Sequence, residues 1–162
     1  MANFEEAVTK TIVREGGAKV VNDPHDTGGL TKYGISQRAY PNEDIANLSE
    51  ERAKAIYKKD YWDRVQGDQI KSQDIAEQLF DTAVNMGPRT ASRLGQLALD
   101  IEPADGIIGP QSLEVINKAP RERFVSRYTL AKIARYAWIC NNNPSQKKFL
   151  LGWINRSLGM HA

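Results

Sequence analysis

Glu15-Gly16-Gly17-Ala18-Lys19-Val20-Val21-Asn22-Asp23-Pro24-His25-Asp26-Thr27-Gly28-Gly29-Leu30-Thr31-Lys32-Tyr33-Gly34-Ile35 is the stretch in which the periodicity of the chain changes. Before it, Phe4, Ala7, Val8, Thr11 and Ile12 recur at the 3.6-residue period of an amphipathic helix, with Asn3 as N-cap and Glu6 three residues on. Gly16-Gly17 falls where helices stop, so the first helix ends at Glu15. Val20-Val21 and Leu30 to Ile35 then read as short strands. Between them, Asn22 to Gly29 is rich in Asn, Asp, Pro, Thr and Gly, the composition of a loop that presents polar side chains to a cleft.

Outward from this stretch the chain is helical. Ser49 caps a helix containing Ala53, Ile56 and Tyr57. Ile75, Leu79, Ala83 and Met86, flanked by Phe80 and Val84, form the wide apolar face of a central buried helix that Gly87-Pro88 ends. Leu94, Leu97 and Ala98 mark the next helix, and Gly109-Pro110 opens a short one with proline in its first turn. Residues 121–140 form a long helix with Phe124, Tyr128, Ile133 and Ala137 inward, and Ser145 to Leu158 form the last, closed by Gly159. There is no fixed-period repeat, low-complexity tract or long linker. The expectation is a mainly α fold with one short β-hairpin.

Size and composition agree with one compact unit. The 162 residues are 41% hydrophobic and 26% charged, enough to bury a core without disulfides, and Cys140 is the only cysteine. No apolar run reaches the ~18 residues of a membrane helix. Met1 to Glu6 is polar and acidic, unlike a cleaved signal peptide, so synthesis in the cytoplasm and release by another route are expected. Charge is uneven: residues 1–87 carry 11 Lys/Arg against 15 Asp/Glu, and residues 88–162 carry 11 against 5. A basic second half suits an anionic surface, and equally a solvated helix face.

The residue inventory narrows the chemistry. His25 and His161 lie at opposite ends, no Cys/His set has metal-ligand spacing, and Cys140 sits in an apolar helical pattern. No G-x-S-x-G elbow, P-loop or dinucleotide fingerprint is present. Carboxylates remain, and paired carboxylates are the tools of glycosidases. Glu15 on the last turn of a helix faces the negative end of the helix dipole, and partial burial would act in the same direction, favouring the protonated acid that a departing glycosidic oxygen needs. The lysozyme glutamate in its hydrophobic pocket is the standard instance of that logic. Across a cleft, Asp26 or Asp23 can stabilise positive charge at the anomeric carbon or activate water, with the Thr31 hydroxyl orienting that water.

Glu15-Gly16-Gly17 with the Asn-Asp-Pro-x-Asp-x-Gly-Gly-x-Thr-x-Tyr-Gly-Ile run resembles the signature of glycoside hydrolase family 108, over roughly the first half of the chain, to about Asn85. Those are phage endolysins and prophage muramidases that cleave peptidoglycan between N-acetylmuramic acid and N-acetylglucosamine. The run is also similar to the wider phage-lysozyme pattern of Glu, Asp and Thr through a helix and hairpin. The resemblance implies Glu15 as the acid and Thr31 as the threonine. Asp26 fits the spacing to Thr31 better, and Asp23 lies closer to Glu15, so Asp26 is preferred. His25 belongs to the cleft rim. Tyr33, Tyr61, Trp62, Trp138 and Trp153 are candidates for sugar stacking or core packing, and Asn85 for an acetamido contact or a helix cap.

Ala83-Val84-Asn85-Met86-Gly87-Pro88, Asp105-Gly106-Ile107-Ile108-Gly109-Pro110 and Gly152-Trp153-Ile154-Asn155 resemble the predicted peptidoglycan-binding region that accompanies the family. The implied molecule is lysozyme-like, with two lobes and the hairpin in the small one. Residues 1–87 would form the muramidase region, and residues 88–162 a helical binding region packed on it. Peptidoglycan glycan strands are the implied partner, with the basic half touching an anionic envelope. No cofactor, metal or nucleic acid is implied, and a monomer is expected. The rival activities are a lytic transglycosylase, which can work with one glutamate and no aspartate, and a non-catalytic peptidoglycan-binding or secretion-accessory protein.

Overall fold

The computed structural model describes residues 1–22 and 29–159. Helix α1 spans Phe4–Arg14 and buries Ala7, Val8, Thr11 and Ile12, the stripe expected from the sequence; the Asn3 side chain accepts the Glu6 N–H at its start. Three short strands follow, β1 Val21–Asn22, β2 Leu30–Lys32 and β3 Ile35–Ser36, in an antiparallel sheet of order β1-β2-β3. Leu30 to Ile35 is thus not one strand. Lys32 pairs with Ile35, and the two residues between them, Tyr33 and Gly34, both take positive φ (52° and 76°). Positive φ at both central positions is what a type I′ hairpin turn requires, and glycine supplies the second at no steric cost.

Helix α2, Glu50–Tyr57, starts at the Ser49 cap and runs on through an irregular, wider and then tighter turn, Lys58–Val65. Helix α3, Gln73–Met86, is the central one and buries Ile75, Ala76, Leu79, Phe80, Thr82 and Ala83. Phe80 meets Trp62 edge-on at 5.5 Å between centroids and Tyr57 at 6.1 Å, which ties α2 to α3. Helix α4, Pro88–Ala98, approaches α3 closely because Gly95 lacks a side chain: a Cβ there would stand 3.1 Å from Leu79 Cδ2. Helices α5, Pro110–Lys118, and α6, Arg121–Asn142, complete the packing with α7, Leu150–Ser157. One buried cluster runs from Ala7 to Tyr128, so both halves of the chain share a core. The result is mainly α, with the small sheet set beside the helical lobe. None of the described helices is long and apolar enough to cross a membrane.

Two helical expectations also differ from the outcome. The last helix is shorter: Pro144–Phe149 winds as a tighter 3-10 turn before α7 begins at Leu150. In α6 the inward stripe is Phe124, Tyr128, Lys132, Tyr136 and Cys140, spaced by four, whereas Ile133 is half-buried and Ala137 exposed. A lysine holds an inward position because Gln78 Oε1 accepts from its Nζ at 3.0 Å and the Tyr128 ring lies 5.4 Å away. Burial pushes its pKa below the ordinary 10.5, partly offset by the charge of Asp81. The unfolded chain then binds more protons than the folded one in the window between the depressed pKa and 10.5, and stability from this group rises with pH across it. Lys132→Met is expected to raise the melting temperature at neutral pH, by about 1 kcal/mol or more of stability, and to flatten that alkaline rise, as thermal melts between neutral and alkaline pH will show.

The Asp105-Gly106-Ile107-Ile108-Gly109-Pro110 element is held by a buried amide. Gln96 Nε2 donates to Asp105 Oδ1 and to the Ile107 carbonyl, both at 3.0 Å, and Gln96 Oε1 accepts the Gly106 N–H at 2.8 Å. The bond from Gln96, with that from the Ile107 N–H, holds the Asp105 carboxyl below the usual carboxylate range, and the set fixes the turn that launches α5.

Candidate active site

Glu15 caps the C-terminus of α1, and the two glycines after it explain its placement. Gly16 N–H donates to the Val13 carbonyl and Gly17 N–H to the Ile12 carbonyl, at 3.3 and 2.9 Å, with φ of 94° and 61°. This is a Schellman ending, whose left-handed residue glycine adopts without strain. The chain turns sharply there and leaves Glu15 half-buried at the helix end.

The hairpin then closes on it. Tyr33 N–H donates to the Gly17 carbonyl at 3.0 Å, and the Tyr57 hydroxyl donates to the Tyr33 carbonyl at 2.9 Å. Gly34 lies directly against the acid: a Cβ at that position would be 2.8 Å from Glu15 Cβ and 2.5 Å from Tyr57 Oη. Burial, and then the nearby Glu15 carboxylate, push the Tyr57 phenol well above the ordinary tyrosine range, so it stays a donor.

A second set of contacts arrives from the far end of the chain. Arg156 on α7 places Nη2 3.4 Å from Glu15 Oε1 and 3.0 Å from Asp81 Oδ1 on α3. Asp81 also pairs with Arg14, one turn along α1 from Lys10, which binds Glu77 at 2.7 Å. Burial alone would lower the Arg156 pKa, but Asp81 and then Glu15 outweigh it and hold it above the ordinary value. A cavity of about 130 Å³ under α1, lined in part by Arg14, Asp81, Lys132 and Arg156, lies behind this network.

The other expected residues fall as follows. Thr31 sits on β2, paired with Val21 and Ser36, its hydroxyl 3.5 Å from the Gly29 carbonyl. The Tyr33 ring is buried in the core at 9% exposure; its backbone carbonyl, bonded to Tyr57, is what meets the site, and little of the ring face is left for a sugar. Asn85 is exposed at the end of α3, one turn beyond Asp81, and its amide donates to Tyr136 Oη at 2.9 Å. Trp62 is fully buried, Trp153 stacks on Tyr136 at 5.0 Å, and Trp138 is 54% exposed. Asp23, His25 and Asp26 lie outside the described residues. Among the described residues, no group of three His, Cys, Asp or Glu side chains is placed to hold a metal ion. Arg156 and Asp81 were not visible as site residues in the sequence, because Arg156 is 141 positions from Glu15 and no local pattern links them.

Comparison with known proteins agrees with this architecture. Residues 8–87 match the family model glycosyl hydrolase 108, and residues 82–158 match a predicted peptidoglycan domain. The solved structure of Brucella abortus SagA is similar with a TM-score of 0.77 at 27% sequence identity, over 95% of this chain and 88% of that one. No curated protein matches the chain. The chain thus carries a glycosyl hydrolase 108 region followed by a predicted peptidoglycan domain, together spanning residues 8–158, the make-up of a peptidoglycan-acting glycoside hydrolase.

Proposed function

We propose that the protein is a muramidase of the phage-endolysin type, which hydrolyses the β-1,4 bond between N-acetylmuramic acid and N-acetylglucosamine. Glu15 acts as general acid and Asp26, in the connection between β1 and β2, as its partner with Thr31. The observation that carries this reading is the Glu15 side chain: half-buried, its stem fixed by a helix-terminal turn on one side and the Gly34 backbone on another, and its carboxyl group bonded to Arg156. A group that must deliver a proton to a leaving oxygen benefits from such fixation, since orientation lowers the barrier before any chemistry occurs. When Glu15 gives up its proton its carboxylate forms beside the Arg156 guanidinium, which stabilises the charge that develops. Water activated by Asp26 then attacks the anomeric carbon.

Digestion of purified peptidoglycan followed by mass spectrometry of the fragments tests this. Reducing-end N-acetylmuramic acid is expected. Products ending in 1,6-anhydro-muramic acid would make the protein a transglycosylase, and reducing-end N-acetylglucosamine would move the cleaved bond. No products at all would leave a non-catalytic binding protein. Comparing Asp26→Asn with Asp23→Asn assigns the partner: Asp26→Asn is expected to lose more activity.

Asp81 has a distinct role in this scheme. It takes the shorter bond to Arg156, so Glu15 shares that guanidinium rather than owning it. Asp81→Asn leaves Glu15 as the carboxylate facing Arg156, so the guanidinium draws the acid out of its position. The expected result is a lower kcat with little change in KM. An unchanged kcat in folded Asp81→Asn protein would show that Asp81 serves folding alone.

A further inference from the structure

The second half of the molecule carries a groove of about 980 Å³ between α4 and α6, away from Glu15. Its floor is aliphatic, with Leu94, Leu97, Ala131 and Ala134, and its rim carries Arg89, Arg93 and Arg135. Trp138 stands at one edge, exposed, with the Arg135 guanidinium 4.6 Å from its ring centroid. Elsewhere on α6 the arginines face carboxylates: Arg121 faces Asp74, and Arg123 and Arg127 face Asp100. None of the three groove arginines has an ion-pair partner among the described residues. The acid in the groove, Asp105, accepts from Gln96 and the Ile107 N–H and its charge faces Arg89, which leaves Arg93 and Arg135 without a carboxylate partner among the described residues.

We propose that this groove binds the stem peptide of peptidoglycan, an acidic peptide whose free carboxylates alternate with alanine methyl groups. The proposal rests on the peptidoglycan-directed reading above and assigns the part of the polymer that the second half holds. Unpaired guanidinium groups offer planar forks that match carboxylates, and their fixed charge attracts an anionic chain. The aliphatic floor suits small methyl groups, which bury apolar area without needing hydrogen bonds. A bare glycan fits less well. Sugar hydroxyls call for acceptors as well as donors, whereas this rim offers mainly cations, and Arg135 covers the Trp138 ring. Holding the stem peptide keeps the glycan strand near Glu15 between cleavage events, at a high effective concentration.

The test is co-sedimentation of the full chain with intact sacculi and with sacculi stripped of stem peptides by an amidase, in parallel with titration by a soluble synthetic stem peptide. The wild type is expected to bind intact sacculi at least tenfold more tightly than stripped ones. Arg93→Glu with Arg135→Glu should lose at least tenfold in affinity for intact sacculi and for the soluble peptide. It should also keep the wild-type melting temperature and the wild-type rate on stripped glycan. Equal binding by the double variant, or equal binding of stripped and intact sacculi by the wild type, overturns the proposal. So does a variant whose only lost ligand is nucleic acid. A wild type that binds intact sacculi but does not cleave them overturns the muramidase reading instead, and the wild type alone reveals it.

Discussion

Glu15→Gln is expected to fold as the parent does and to release peptidoglycan fragments about 10²–10⁴-fold more slowly, the range that a positioned general acid contributes. The substitution keeps the shape of the side chain, and the amide oxygen can still accept from Arg156, so the packing against Gly34 and the Schellman turn is retained. What is lost is the transferable proton. Because the proton moves only in the transition state, kcat should carry the loss and KM should change little. Thermal melting of the variant checks the fold, and turbidity loss of a cell-wall suspension checks the rate. Clearance at the parent rate would remove Glu15 from the mechanism.

Gly34→Ala is expected to be nearly as damaging, although residue 34 takes no part in the chemistry. Its φ of 76° lies in the left-handed region, where a non-glycine residue costs about 1–2 kcal/mol. The new methyl group would also stand 2.5 Å from Tyr57 Oη and 2.8 Å from Glu15 Cβ, and relieving such crowding costs about 1–3 kcal/mol. Together these are a large part of the stability of a small domain. The overlap can be relieved only by moving Glu15, or Tyr57 and with it the turn, so the acid loses its position. A displacement of about 1 Å costs on the order of 10²-fold in rate. Folded Gly34→Ala protein should therefore show a lower melting temperature and at least a tenfold lower kcat. Gly16→Ala, where nothing lies within 4 Å of the added methyl, should show the backbone cost without the crowding.

The pair of variants separates two kinds of information in one motif. Gly16 and Gly17 are needed by their own backbone, and a helix that ends on two glycines is readable from sequence. Gly34 is needed by its backbone and by a neighbour as well, and the neighbour is known only once the hairpin has packed on α1. The same division holds across the molecule. Helix starts at Asn3 and Ser49 were legible because capping involves residues three apart. The α3 face was legible because burial on a central helix imposes a 3.6-residue period. The break at Tyr33-Gly34 was not, since the apolar run around it reads as one strand until pairing of Lys32 with Ile35 reveals the turn. Nor was the inward register of α6, because Lys132 belongs there only through Gln78 and Tyr128 on other turns.

By itself the sequence determined where the chain bends and which carboxylate sits at the first bend, because caps, glycines and apolar periods act over a few residues. It also carried the family signature in which Asp26 and Thr31 follow Glu15. Only the tertiary structure decided what surrounds that carboxylate. Gly34 reaches it through a hairpin, Tyr57 through a helix 42 positions on, and Arg156 from 141 positions away. Such contacts arise from packing of distant segments into one core, and no local rule of composition or spacing encodes them.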